Sequence, residues 1–401
     1  MPILAIAGGS SPTLGRAIVS AIISTLPHWS VVILSRNNTP PLWLRALDPE
    51  RIYSKISAVD YMSIDSLVPA LQGVDTVVSV TSAIDGSQAQ IQINLLNAGI
   101  QAGCKQFADS QWGTGLKSYE AGLIQYLNAG VWEECLKKRD SIQSGRFNTG
   151  IFMNYLGHGI FPKSTRDFQG SEAAKLIAFK TGGGYIPGAD SAIQGLRGDG
   201  DLGDKSGGAL LSLASGIAEL PVKDNGEWPQ FTTTQLRDVG RFVAASLDLP
   251  EWQEDMSIAG STLTMGELLE AAEEITRKKI KITKITREDL EKQLAALDPE
   301  DFMAQLWIEF KLNWIRDESG YGILSPIVNG LCPDMKPISA VDFLKNHWEE
   351  SQQVWFMLII QTICLVLFSC LGMKIQLFIA SLIPISILPH LCELLLSNQL
   401  S

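Results

Sequence analysis

The chain has 401 residues, 46% of them hydrophobic and 19% charged, enough apolar material for one large or two moderate domains, which excludes disorder over most of its length. A formal net charge of -11, with no long Lys/Arg run to offset it, excludes a general binder of nucleic-acid backbones. Six scattered cysteines without a CxxC pair and four dispersed histidines point to neither a disulfide framework nor a metal site, and to a reducing compartment.

No signal peptide is expected, because Ile3-Leu4-Ala5-Ile6 runs straight into glycines without a basic stretch before it. Short β-branched runs then alternate with helical patterns. The expected strands are Ile3–Ala7, Val31–Ser35, Ile56–Val59, Thr76–Val80, Gln106–Ala108 and Thr149–Phe152. Amphipathic helices are expected at Leu14–Leu26, Ile64–Leu71, Ile91–Ala102 and Val131–Ile142. This alternation predicts an α/β, Rossmann-type doubly wound parallel sheet over residues 1–156.

Between the first strand and the first helix lies Gly8-Gly9-Ser10-Ser11-Pro12-Thr13-Leu14-Gly15-Arg16, a small-residue loop in the place where such a sheet binds a dinucleotide. Gly8 permits a tight turn, Gly9 lets amides approach a pyrophosphate, and Gly15 lets the helix pack on the sheet. Ser11 followed by Pro12 reads as a helix cap with proline at the first helical position. The spacing departs from strict GxGxxG, and a purely structural turn is the alternative. The second strand sharpens the reading, since no Asp or Glu precedes Asp48. A domain selective for NAD would carry an acid about 20 residues past the loop. Here the strand ends in Ser35-Arg36, and an arginine there pairs with a 2′-phosphate, so NADP(H) is expected; a solvated surface arginine is the alternative.

From Gly157 onward the pattern loosens, and residues 182–208 hold ten glycines, read as a long mobile loop. A smaller α+β substrate lobe over 157–349 follows from a turn at Asp224-Asn225-Gly226, a helix at Leu236–Leu249, a capping box from Thr264 to Glu267, a strand near Ile280–Ile285, and a helix opened by Thr286 with Asp289 at its third position. Residues 350–401 form a hydrophobic C-terminal tail, in which Val354–Met373 has no charged side chain and is long enough to span a bilayer core of roughly 30 Å. Membrane attachment with a cytosol-facing domain is expected; a buried helix, an amphipathic surface segment and read-through past the true end are the alternatives.

The Gly8–Arg16 loop, Leu34-Ser35-Arg36, Val59-Asp60-Tyr61, the run from Leu71 to Ser79, Ser110-Gln111-Trp112-Gly113, Phe152–Gly157, Arg237–Ala244 and Phe343-Leu344-Lys345 together resemble the NmrA-like branch of atypical short-chain dehydrogenases. That group includes isoflavone reductase, and the chain is most similar to fungal members over roughly residues 1–348. The resemblance implies an NADP(H)-dependent reductase of a small organic molecule, such as an aromatic or polyketide-like intermediate of secondary metabolism. It further implies that Asp60 and Tyr61 sit near the adenine, that Thr81 and Ser82 face the cofactor, and that Phe152, Asn154 and Tyr155 border the nicotinamide and substrate. Packing aromatics are the alternative for Phe152 and Tyr155.

Two departures bear on catalysis. The family lysine that binds ribose and assists proton transfer falls on Asn128, which hydrogen-bonds but does not titrate, and Gln111 stands where the family has an acid. No tyrosine has a lysine four residues on, so the Tyr-x-x-x-Lys mechanism is absent. Lys117, Tyr119 and Tyr126 are the remaining candidate proton donors, each with a surface or packing role as the alternative. A non-catalytic NADP(H) sensor that docks a protein partner is therefore the second reading.

Overall fold

Leu4 and Ile6 alternate with Ala5 and Ala7, so the first strand buries both faces, and it lies inside a six-stranded parallel sheet. The computed structural model describes residues 1–120, 122–160, 171–186, 202, 210–298, 301–349 and 351–352. Its first sheet comprises β1 (Ile3–Ala7), β2 (Ser30–Ser35), β3 (Ser54–Ala58), β4 (Thr76–Ser79), β5 (Gln106–Ala108) and β6 (Gln143–Gly145), in the order β3-β2-β1-β4-β5-β6. The order reverses between β1 and β4, which opens a crevice at their carboxyl ends.

The connecting helices are α1 (Leu14–Thr25), α2 (Leu42–Leu47), α3 (Ile64–Ala70), α4 (Gln88–Ala102), α5 (Gly122–Leu127) and α6 (Val131–Lys137). One face of the sheet buries Leu4, Ile6 and Ile33 against Ile18 and Ile22 of α1, while the other buries Ala5, Ala7 and Val77 against Leu67 of α3 and Leu95 of α4. The sixth strand is a departure from expectation. It is the polar Gln143-Ser144-Gly145, which has no β-branched signal and becomes a strand by pairing with β5, and this shortens the helix expected to run to Ile142.

The expected last strand contracts to β7 (Ile151–Phe152), which belongs to a second sheet. After α7 (Asn154–Gly157) comes α8 (Glu172–Thr181), a helix the loosened pattern hid; Ser171 caps it by accepting the Ala174 amide. Of the expected glycine-rich loop, residues 187–201 and 203–208 lie outside the described residues. Its start is docked, with Tyr185 buried and its ring 4.7 Å from the Arg16 and 3.9 Å from the Arg237 guanidinium carbons.

The remainder supplies β8 (Leu211–Ser212), β9 (Ile217–Pro221), β10 (Gln230–Thr234), α9 (Leu236–Ser246), β11 (Ser261–Thr264), α10 (Met265–Thr276), β12 (Lys281–Ile285), α11 (Arg287–Ala296), α12 (Phe302–Arg316) and α13 (Ile327–Leu331). The strands form two small sheets, β11-β10-β7 and β12-β9-β8. Both expected capping signals are formed, Thr264 with Glu267 and Thr286 with Asp289. The chain also returns to the first sheet: α9 lies against α1 so closely that a Cβ on Gly240 would stand 2.1 Å from the Ala17 carbonyl oxygen. Phe147, Trp252, Met256 and Ile258 share the same core, and residues 1–349 make one compact unit. Among the described residues no helix is long and apolar enough to cross a membrane; the apolar run 354–373 lies outside them.

Candidate cofactor and substrate site

The loop leaving β1 has no room for side chains at its glycines. Gly8 holds φ +77°, and a Cβ there would meet the Val80 carbonyl oxygen at 3.1 Å; on Gly15 it would stand 2.8 Å from the Gly9 and 2.9 Å from the Gly8 carbonyl oxygen. Gly9 is equally tight, 3.0 Å from Ile6. The helix begins later than Ser11-Pro12 implied. Thr13 is the cap residue, its carbonyl accepting the Ala17 amide at 3.0 Å, and Ser11 contributes instead by accepting the Gly15 amide on its hydroxyl at 3.0 Å. The amides of Ser10, Thr13 and Leu14 have no acceptor among the described residues, the donor set an anion at the start of α1 uses.

Beside this loop the second strand delivers Ser35 and Arg36. The Ser35 hydroxyl lies 3.4 Å from that of Ser10. Arg36 is exposed and makes no hydrogen bond or ion pair among the described residues. Tyr61 buttresses the loop from behind: its hydroxyl accepts the Gly8 amide at 2.9 Å and donates to the Leu34 carbonyl at 2.8 Å, and burial pushes it up to about 12. The neighbouring Asp60 carboxylate accepts the Met62 amide at 2.9 Å in the turn before α3.

Across the switch point, the segments after β4 and β5 are tied together. The Thr81 carbonyl accepts the Ser110 hydroxyl at 2.8 Å, the Trp112 indole donates to the Ser79 carbonyl at 2.9 Å, and the Gln92 amide donates to the Thr81 hydroxyl at 2.7 Å. Ser82 is exposed at the rim of this junction. Gln111 is buried, and its side-chain oxygen has no partner among the described residues.

The candidate proton donors are spread out. Tyr126 is exposed, with its hydroxyl 3.8 Å from the position a Gly86 Cβ would take, so it reaches the loop after β4. Asn128 is partly buried just beyond α5, and its carbonyl accepts the Val131 amide. Lys117 is drawn the other way, 4.0 Å from the Glu318 carboxylate and 5.5 Å from the Tyr321 ring centre. Tyr119 donates to the Gln111 carbonyl. Phe152 and Tyr155 stack at 6.1 Å, and Tyr155 meets Trp307 of α12 edge-on at 4.8 Å. Burial pushes the Tyr155 hydroxyl up to about 12. Asn154 is buried and accepts the Leu236 amide at 3.0 Å, holding the start of α9. Three residues that composition and motifs passed over, Asp109, Arg146 and Asn148, also gather where β5 and β6 end. The only advance signal was an acid directly following a strand.

A parallel sheet with its crevice at the β1/β4 reversal, a side-chain-free loop there, and donors at a helix start make a Rossmann-type fold with the geometry of a dinucleotide site. No protein-family model matches the chain. It is similar to oxidoreductase BOA1 of Botryotinia fuckeliana (strain B05.10), 25% identical over 282 residues that span 69% of this chain and 76% of that protein. Its fold is similar to that of isoflavone reductase, with a TM-score of 0.60 and 15% identity over 86% of this chain and 98% of that one. It is also similar to the NADPH-dependent quinone oxidoreductase of Escherichia coli complexed with NADPH, with a TM-score of 0.56 and 17% identity over 86% and 99% of the two chains. The expected Rossmann-type fold, with its likeness to isoflavone reductase, is the fold these similarities show.

Proposed function

We propose that the chain is an NADP(H)-dependent oxidoreductase that reduces a small organic substrate. The observation that carries this reading is the Gly8–Gly15 cradle, closed to any Cβ and flanked by an exposed arginine where an NAD-selective site needs an acid. The names of the fungal oxidoreductase and the bacterial NADPH-dependent enzyme support it. Gly8, Gly9 and Gly15 let the amides of Ser10, Thr13 and Leu14 reach the pyrophosphate. Arg36, with Ser10, Ser11 and Ser35 nearby, takes the 2′-phosphate, while Asp60 and Tyr61 border the adenine side. Thr81, Ser82 and Asn128 orient the nicotinamide ribose, and Phe152 and Tyr155 form the wall an aromatic or polyketide-like substrate packs against. The bound dinucleotide supplies a hydride; the chain supplies orientation and exclusion of water.

Arg36→Ala is expected to weaken NADPH binding roughly 10- to 100-fold, the worth of a charge-assisted hydrogen bond, and to leave NADH binding unchanged. Equal losses for both dinucleotides, measured by fluorescence titration, would remove Arg36 from the 2′-phosphate site. The sensor reading rests on Asn128 and Gln111, neither of which titrates. NADPH oxidation with a panel of quinones and enones decides against it, and a failure of every acceptor decides for it. The charge-free run 354–373 supports membrane attachment of the full chain. The full-length protein is then expected in the membrane pellet and a chain ending at 349 in the supernatant; recovery of both without detergent refutes attachment.

A further inference from the structure

The loops that leave β5 and β6 enclose polar side chains that dinucleotide binding does not use. Because Ala108 pairs with Gly145, the next residues, Asp109 and Arg146, emerge from the sheet side by side. Asp109 is 2% exposed, and neither of its carboxylate oxygens has a hydrogen-bond partner among the described residues. The same holds for both side-chain polar atoms of Asn148, which is 0% exposed, and for Gln111 Oε1, Thr114 Oγ1 and Arg146 Nε. Buried polar groups are paired nearly without exception in folded proteins, and a concentration of unpaired ones in two short loops marks a working site.

The groups facing Asp109 determine its charge. Arg146 lies beside it, with its guanidinium carbon 3.9 Å from the centre of the Trp132 ring of α6; the Tyr119 hydroxyl and the Cys135 thiol of α6 complete the surroundings, and Glu254 and Asp255 act on Arg146 from beyond. Burial holds Tyr119 well above its ordinary range and pushes Cys135 up to about 12, so both are neutral. Arg146 favours the carboxylate, but burial outweighs it and pushes the Asp109 carboxyl up to about 7.

We propose that Asp109 is the internal acid of the reduction, a proton reservoir behind the site that does what the titrating lysine would do at Asn128. The inference rests on the reductase reading above. In each turnover the substrate gains a hydride from NADPH and one proton, and NADP+ is left. Asp109 gives up the proton across this cluster of buried polar side chains, becomes a carboxylate beside Arg146, and is reprotonated from solvent before the next cycle. Asp109 does not touch the substrate in this scheme.

The test measures NADPH oxidation by the full chain from pH 5 to 9 with benzoquinone and a simple enone, alongside NADPH affinity. For the wild type, the rate is expected to fall about tenfold per pH unit above pH 7. In Asp109→Asn the rate below pH 7 drops by about 100-fold, a usual worth of a positioned acid, and the alkaline limb vanishes while NADPH affinity is unchanged. Asp109→Glu restores the limb. An infrared difference spectrum of the wild type shows a protonated carboxyl band that disappears as pH rises through 7, a readout that needs no variant to fold. A pH limb that survives Asp109→Asn, or a band already absent at pH 6, overturns the inference. Wild-type protein that binds NADPH and reduces no acceptor overturns the reductase reading, and this inference with it.

Discussion

Replacing Asp109 by asparagine is expected to stabilise the fold by about 4 kcal/mol above pH 7 and to leave its stability unchanged near pH 4. The folded carboxyl is pushed up from 3.8 to about 7 by burial, with Arg146 only partly opposing the shift. Below about pH 4 it is protonated in both the folded and unfolded chains and contributes no difference. Between about pH 4 and 7 the unfolded chain ionises and the folded one does not, so stability falls by about 1.4 kcal/mol per pH unit and then levels off. The sign is opposite to that of a salt-bridged aspartate, which stabilises as pH rises. Asparagine has nearly the same shape and never ionises, so the variant escapes this loss. Urea midpoints at pH 4.5, 6 and 8 check it; a variant–wild-type difference independent of pH would mean that the buried carboxyl is charged throughout. Gained stability together with lost turnover would place a cost of function at this residue.

Gly15→Ala is expected to destabilise the fold by about 1–3 kcal/mol and to weaken NADPH binding by more than tenfold. Alanine ordinarily gains about 1 kcal/mol over glycine inside a helix. Here the added methyl would lie 2.8 Å and 2.9 Å from two backbone carbonyl oxygens of the preceding loop, and backbone does not yield as a side-chain end does. The loop must move, and its amides move off the proposed pyrophosphate site with it. Gly99→Ala in α4 provides the contrast. Its methyl would find Ile142 at 3.7 Å and Cys104 and Val77 at 3.8 Å, ordinary contacts, so the helix gain of up to about 1 kcal/mol stands and NADPH binding is unaffected. Thermal melts and fluorescence titrations of the two variants are expected to move in opposite directions. A Gly15→Ala protein that binds NADPH normally would refute the assignment of this loop.

Much of the first sheet and its helices was legible in advance because the signals there are local. Val31 to Leu34 is β-branched or apolar throughout, Leu14 onward repeats with a helical period, and Thr264 with Glu267 writes a helix start into four residues. The loop between β1 and α1 was recognisable since only glycine tolerates such close backbone approach. The helix start was displaced to Thr13, for Ser11 turned out to hold the loop and not the cap. Pairing partners were harder. Nothing within Gln143-Ser144-Gly145 says strand, and nothing within Ile151-Phe152 says that it leaves the first sheet for β10. The aromatic helix Phe302–Arg316 was missed as well, although its Trp307 forms the back of the Phe152–Tyr155 wall.

The proposal of NADP(H) therefore rests on the sequence alone, through glycines whose conformational freedom is intrinsic and through the absence of any acid before Asp48. Tertiary structure decided the roles of single polar residues. It committed Asn154 to the start of α9 and the Tyr61 hydroxyl to the Gly8 loop, and it turned Lys117 toward Glu318. Above all it decided the charge of Asp109, a residue that reads as an ordinary acid after a strand. A backbone preference belongs to a few neighbouring residues, whereas the cost of holding a charge sums over everything that excludes water from it. For Asp109 the surroundings come from Tyr119, Cys135 and Arg146, brought together only when α6 packs with the segments that follow β5 and β6.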